Sequence, residues 1–266
     1  MKKILAIALA LMLMLMLTAA CAAAEINVTL RELSQARGLD KSVNHILVLL
    51  RDSTAADTLM LASINSKTGR AVMTRVDTTR GIEVTLGDGS VQTVAVEDVY
   101  DMGGRKSKGL LVCREMNELL GLDISTFVAL DMEQLPTIVD SLGTLILPLT
   151  QEEAKAMGKP FDYVELTGEE VLQYVRLKLE GDDAARSRCY DALIQMIYQG
   201  LKGGDIKGLL SMGTKMLKSM DTNLNPMTAM TLVGAVQAGE DRRQVFVPAD
   251  MTEEEVRALI RTEIYE

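Results

Sequence analysis

The chain has no tryptophan, three phenylalanines and a single histidine in 266 residues. With so few rings, its core must be built from leucine, valine, isoleucine and an unusual 17 methionines, whose flexible side chains fill irregular gaps. Three cysteines, one histidine and no CxxC spacing exclude a thiolate or imidazole zinc site. Cys21 lies near the N-terminus, whereas Cys113 and Cys189 fall on apolar or mixed helical segments and read as buried free thiols. Positive charge is also short: 28 Lys and Arg against 37 Asp and Glu give a net charge of −9. Non-specific nucleic-acid binding needs a basic face and is excluded on that balance, although a local cationic pocket is not.

The one long apolar run is N-terminal. Lys2-Lys3 precede Ile4 to Leu17, and small residues follow from Thr18 to Ala24. Residues 1–24 therefore read as an export leader. Leu17-Thr18-Ala19-Ala20-Cys21 is similar to a bacterial lipobox, which predicts a lipid anchor on Cys21. Cleavage near Ala24 would instead release the protein, and retention of the apolar run would anchor it. Each outcome places the protein outside the cytoplasm, on the outer face of the cytoplasmic membrane or secreted. Residues 25–42 read as a connector and 43–266 as one domain.

Within that domain, strand-like and helix-like patterns alternate, which predicts an α/β fold. Three apolar runs, 46–50, 58–64 and 71–76, read as buried strands, with a hairpin loop at 65–70. Alternation over 81–99 around Gly87-Asp88-Gly89 predicts a second hairpin. Helices are expected over 109–120, ending at Gly121, and after the capping boxes Asp131/Gln134, Thr167/Glu170 and Thr252/Glu255. Further helices are expected around 190–197, over 205–219 and over 226–237, the last opened by Asn225-Pro226. Strands are expected over 124–130, 145–148 and 244–247.

The first three strands would bring Asp52, Asp57 and Asp77 to one end of a sheet. Three carboxylates repel one another unless a cation joins them. Mg²⁺ suits carboxylate oxygens and typically shares them with a phosphate. The later helical segments supply Arg176, Lys178, Arg186 and Arg188, and arginine forks bind phosphate oxygens bidentately. Together these describe a diphosphate site for phosphoryl or glycosyl-phosphate transfer. The plainer alternative makes the aspartates turn formers and pairs Arg176 with Asp57 or Asp77. His45, just before a strand, reads as a buried, hydrogen-bonded residue.

Several segments carry a resemblance in matching order. Leu50-Arg51-Asp52-Ser53-Thr54, Ala55-Ala56-Asp57-Thr58 and Arg75-Val76-Asp77-Thr78 are similar to the G-x-D-x-R, R-S-D-T and P-R-D-T motifs of the LytR–CpsA–Psr family. Asn117–Ile124, Phe127–Gly143, Thr167–Lys178 and Asp183–Arg186 resemble that family's E-x-L-L-G-I-x-I-D, V-D-F-x-G-F-x-x-L-V-D-x-L-G-G, L-x-G-E-Q-A-L-x-Y-V-R-x-R and D-x-x-R segments. The resemblance spans roughly residues 43–248. It implies a three-layer domain with a central mixed sheet covered by helices. It also implies Mg²⁺-dependent transfer of a glycopolymer from a polyprenyl-diphosphate carrier to a peptidoglycan hydroxyl, with the prenyl chain in an apolar tunnel. Carried over residue by residue, Asp52 and Asp57 take the metal, and Asp52, Asp77 and Arg176 are the catalytic candidates. Arg176, Lys178, Arg186 and Arg188 become the diphosphate-binding ones.

The departures are specific. Thr54, Ala55 and Val76 stand where the pattern has arginine, Lys178 replaces the second arginine of V-R-x-R, and Cys189 replaces another. Loss of a preorganised cation from such a transition state costs about 3–4 kcal/mol, by analogy with oxyanion donors. Two readings follow: an active transferase, or a catalytically impaired relative that binds polyprenyl phosphate or wall glycan at the bacterial surface. A third makes the chain an exported lipoprotein that uses the fold only as an interaction surface.

Overall fold

The structure, a computed structural model, describes residues 25–33, 36, 38–52, 55–142, 145–179, 192, 220–239 and 241–266, excluding the side chains of 55–57, 141–142, 178–179 and 236–238. Its centre is a six-stranded mixed sheet in the order β10-β3-β2-β1-β6-β9. The strands are β1 (Val43–Asp52), β2 (Ala55–Asn65), β3 (Ala71–Val76), β6 (Thr126–Asp131), β9 (Asp221–Thr222) and β10 (Arg242–Val247). Neighbours pair antiparallel except β1 with β6 and β3 with β10, which are parallel. Two ribbons stand apart: β4 (Gly81–Thr85) with β5 (Val91–Ala95), and β7 (Leu145–Pro148) with β8 (Tyr163–Leu166).

The apolar runs are continuous because the central strands are covered on both faces. Leu47 and Leu49 of β1, Leu59 and Leu61 of β2 and Val76 of β3 point to one side. There they meet α1 (Val96–Met102), α2 (Lys108–Leu120) and the last helix, α7 (Glu253–Tyr265). Leu50, Met60 and Leu130 point to the other side, against α3 (Leu135–Leu142), α5 (Gly168–Leu179) and the β7–β8 ribbon. A smaller contact of Ile64 and Ala71 with Leu232 seats α6 (Pro226–Ala238) on that second face. The helix α4 (Gln151–Met157) lies between β7 and β8 in the chain. This is the three-layer α/β arrangement the sequence implies.

Local signals explain most boundaries. Asn65 and Arg70 close the β2–β3 loop through a backbone hydrogen bond of 2.9 Å. Gly121 ends α2 in the left-handed conformation, at φ 68°. The boxes at Thr167/Glu170 and Thr252/Glu255 both form, and the Asn225 side chain accepts from the Met227 N–H.

Other expectations are corrected. Ile26, Val28 and Leu33 are buried in the core, so this part of the expected connector packs onto the domain. Ile26 is tied to the end of α1 by a 3.1 Å hydrogen bond to the Met102 carbonyl. The alternating run 81–99 does not stay extended, because Val96 opens α1 and buries Val99 and Tyr100. No Asp131 side-chain cap forms: a 3₁₀ turn, Met132–Gln134, intervenes before α3. The helix α4, opened by a Thr150/Glu153 capping box, and β8 were not anticipated at all. The helices expected around 190–197 and over 205–219 lie outside the described residues.

Candidate functional site

Four strand ends converge at one edge of the sheet. Asp52 is the last residue of β1 and pairs with Ala55 at the start of β2. Val76, the end of β3, pairs with Leu59 of β2, which places Asp77 one step beyond at the same edge. The parallel register sets Arg51 beside Asp131, so β6 ends there too and its following turn delivers Glu133. The register of β1 shifts between Leu50 and Asp52. Such an irregularity re-aims a side chain, and it occurs where Asp52 turns toward α5.

Arg176, in the C-terminal half of α5, places a cation at this edge. Its Nε donates to Asp52 Oδ2 at 2.7 Å and its Nη2 to Asp52 Oδ1 at 3.4 Å. The same Nη2 also donates to Glu133 Oε1. The three side chains differ sharply in exposure: 1% for Asp52, 34% for Arg176 and 71% for Glu133. Arg176 thus sits on a rim, with a buried carboxylate behind it and an exposed one in front. The hydrogen bonds it donates to Asp52 and then to Glu133 raise its pKa further above an already high value, so it is a permanent cation. An arginine has five N–H donors. Three are used here, and among the described residues Nη1 makes no hydrogen bond.

Asp77 is half-buried, and its Oδ1 accepts from the N–H of Thr79 at 3.0 Å and from its hydroxyl at 2.8 Å. It is therefore a turn former at a strand end, as the plainer alternative expects, while among the described residues its Oδ2 makes no such contact. Arg176 pairs with Asp52 and not with Asp77. Val76, where the resemblance expects arginine, is buried against the opposite face of the sheet. Arg75 pairs with Met60, whose side chain lies on the Arg176 face, and its guanidinium stacks 3.8 Å from the Phe246 ring centroid. Cross-strand partners share a face, so Arg75 occupies the side of the sheet on which the site lies. Arg75 and Arg176 are thus cations of one face. The side chains of Asp57 and Lys178, and all of Arg186, Arg188 and Cys189, lie outside the described residues.

Behind the site, the other face of the same edge is braced by a second cluster that the sequence did not reveal. Arg51 stacks 4.3 Å from the Tyr100 ring centroid and donates to Asp101 at 3.1 Å. Lys108 reaches the same carboxylate at 2.8 Å, and its hydrogen bond holds Asp101 below the usual carboxylate range. The Tyr100 hydroxyl donates to Asp221 at 2.6 Å. Glu133 was missed as well: an exposed glutamate after a strand carries no periodic or motif signal.

The donor chemistry suits a hard cation only in part. Both Asp52 oxygens accept from Arg176, and Mg²⁺ commonly takes only one or two carboxylates and completes its shell with phosphate and water. Among the described residues no three acidic, His or Cys groups cluster as a metal cage. No helix among them is long and apolar enough to cross a membrane.

Comparison with known proteins agrees with this architecture. The fold superposes on TagV of B. subtilis with a TM-score of 0.64 at 15% identity, covering 85% of this chain and 98% of that one. It superposes on TagT bound to LIIa-WTA at 0.68 and 16% identity, covering 90% and 99%. For the LytR-CPS2A-psr family protein YwtF (TagT) with bound octaprenyl pyrophosphate lipid, the values are 0.63, 16%, 88% and 99%. No curated protein matches the chain by sequence. At these identities the structural likeness shows the fold, and it is the family model for LytR_cpsA_psr, matching residues 16–254, that decides kinship: the chain belongs to the LytR–CpsA–Psr family.

Proposed function

We propose that the protein transfers a cell-envelope glycopolymer from a polyprenyl-diphosphate carrier to a peptidoglycan hydroxyl at the outer face of the cytoplasmic membrane. The observation that carries this reading is Arg176, fixed by the buried Asp52 at the sheet edge with Nη1 left to donate. Solved proteins of the same fold hold an octaprenyl pyrophosphate lipid or LIIa-WTA. In the proposed reaction the acceptor hydroxyl attacks the glycan-bearing phosphorus. A new P–O bond forms, the bridging P–O bond to the second phosphorus breaks, and prenyl monophosphate leaves. Arg176 offsets the charge that develops on the leaving phosphate. The hydroxyl proton goes to a carboxylate of this edge. Asp77 suits that task through its uncommitted Oδ2, whereas both oxygens of Asp52 already accept from Arg176. Asp52, with Asp57, would hold Mg²⁺, which when bound neutralises diphosphate charge. Lys178, Arg186 and Arg188 are the further candidates for the diphosphate. The prenyl chain would lie along the apolar face of Leu50, Met60 and Leu130 under α3 and α5.

A second reading, binding without turnover, is favoured by one observation: Val76 is buried where the family pattern has a cation. A turnover assay separates the two. Full-length protein is incubated with a prenyl-diphosphate-linked saccharide, Mg²⁺ and a peptidoglycan fragment, and prenyl monophosphate is measured. Transferase activity predicts its release, reduced about 10²- to 10³-fold in Arg176→Ala. Saccharide lipid retained but never cleaved would establish the binding reading instead, and turnover undiminished in Arg176→Ala and Asp77→Ala would remove this site from the reaction.

A further inference from the structure

Glu133 lies in the first turn of the 3₁₀ segment that leads into α3, where an acidic side chain is favourable. Its side chain is 71% exposed, yet it is hydrogen-bonded to Arg176, which the buried Asp52 holds at the sheet edge. Aligning Asp131 and Asp140 with the two aspartates of the family's V-D-F-x-G-F-x-x-L-V-D segment puts Glu133 on an unspecified position. We propose that Glu133 is a displaceable gate: it occupies Arg176 in the empty site and competes with the incoming diphosphate for that guanidinium. This rests on the reading of Arg176 as a diphosphate ligand.

The two carboxylates on Arg176 have different physical roles. Asp52 is buried and takes both edges of the fork from Nε to Nη2, so it cannot leave without stranding a charge. Glu133 takes a single Nη2 proton from the solvent side and returns to water at little cost when it swings away. A phosphate oxygen within hydrogen-bonding distance of Nη1 or Nη2 stands a few ångströms from the Glu133 carboxylate. Like charges at that separation disfavour one another, so binding requires the glutamate to move. The same contact shields Arg176 from smaller anions while the site is empty. A prenyl diphosphate, anchored also by its apolar chain, has binding energy that a free phosphate lacks.

Calorimetric titration of the full chain in detergent micelles with geranylgeranyl diphosphate, in EDTA, tests the gate. Because Glu133 is exposed, Glu133→Gln and Glu133→Ala are expected to fold normally, which circular dichroism checks. Removing its charge is expected to tighten binding about 3- to 10-fold in both variants, while Arg176→Ala loses binding. Affinity unchanged in both variants would overturn the gate. So would normal affinity in Glu133→Gln with weakened affinity in Glu133→Ala, which would make the residue a positioning group for Arg176. Affinity that is the same in wild type, in both Glu133 variants and in Arg176→Ala would remove the diphosphate reading itself, and the gate with it.

Discussion

His45, the chain's one histidine, shows how a single buried side chain sets a pH response. Its Nδ1 lies 2.9 Å from Ser63 Oγ and its Nε2 2.9 Å from the Tyr265 hydroxyl, so it ties the last helix to β1 and β2. Desolvation lowers its pKa to about 4, only partly offset by Asp123, 3.8 Å away. The ring is therefore neutral in the fold and protonates first in the unfolded chain. Its contribution to stability is complete above pH 6.5 and is lost as pH falls toward 4. The loss amounts to at most about 3 kcal/mol. Urea midpoints of wild type and His45→Gln should thus converge between pH 7 and 4.5; parallel curves would show that the histidine does not titrate in that window. The other carboxylates held low by hydrogen bonds, such as Glu170 and Glu255, lose stability only below that range. Cys113 belongs to the same scale: burial pushes its thiol up to about 12, so it is a packing residue.

The helix α5 is where local sequence becomes site geometry. Its Thr167/Glu170 box fixes the start, and the Gly168 N–H donates to Asp140 Oδ1 of α3 at 2.7 Å. A Cβ on Gly168 would collide with the backbone of Pro136, so the glycine sets how closely α5 lies on α3. Eight residues along, that closeness puts Arg176 over Asp52. Gly168→Ala should cost about 1–3 kcal/mol and lower the melting temperature, and it should weaken diphosphate binding by displacing α5. An unchanged melting temperature would mean that the two helices have slack. Elements whose signal was local were legible: the three apolar runs of β1 to β3, the Asn225-Pro226 start of α6 and the Thr252 box of α7. Thr150/Glu153 carries the same signal as those boxes and went unread because α4 has only seven residues and little periodicity. The turn after β6 was misread because a 3₁₀ turn and a capped helix share one sequence pattern.

At the scale of the molecule, one sheet edge collects what several distant segments supply. Asp52 and Arg176 are 124 positions apart and were nameable only because motif order and spacing carried both. Glu133 and the Arg51–Tyr100–Asp101–Lys108 brace were not, since their meaning lies in tertiary neighbours and not in spacing. The face on which Arg75 lies was likewise invisible until β3 was paired, because alternation tells which residues share a side but not which side is the site. The fold was more legible than the site for the same reason: burial repeats along the chain, whereas a site is a single coincidence of side chains. The central claim is that this face, rimmed by Arg176 and floored by Leu50, Met60 and Leu130, receives a prenyl phosphate head and tail together. Mass spectrometry of lipid extracted from the full-length protein, purified from a bacterial host, tests it most directly. The account predicts co-purifying polyprenyl phosphate or diphosphate, depleted in Arg176→Ala; a folded, lipid-free protein would contradict it.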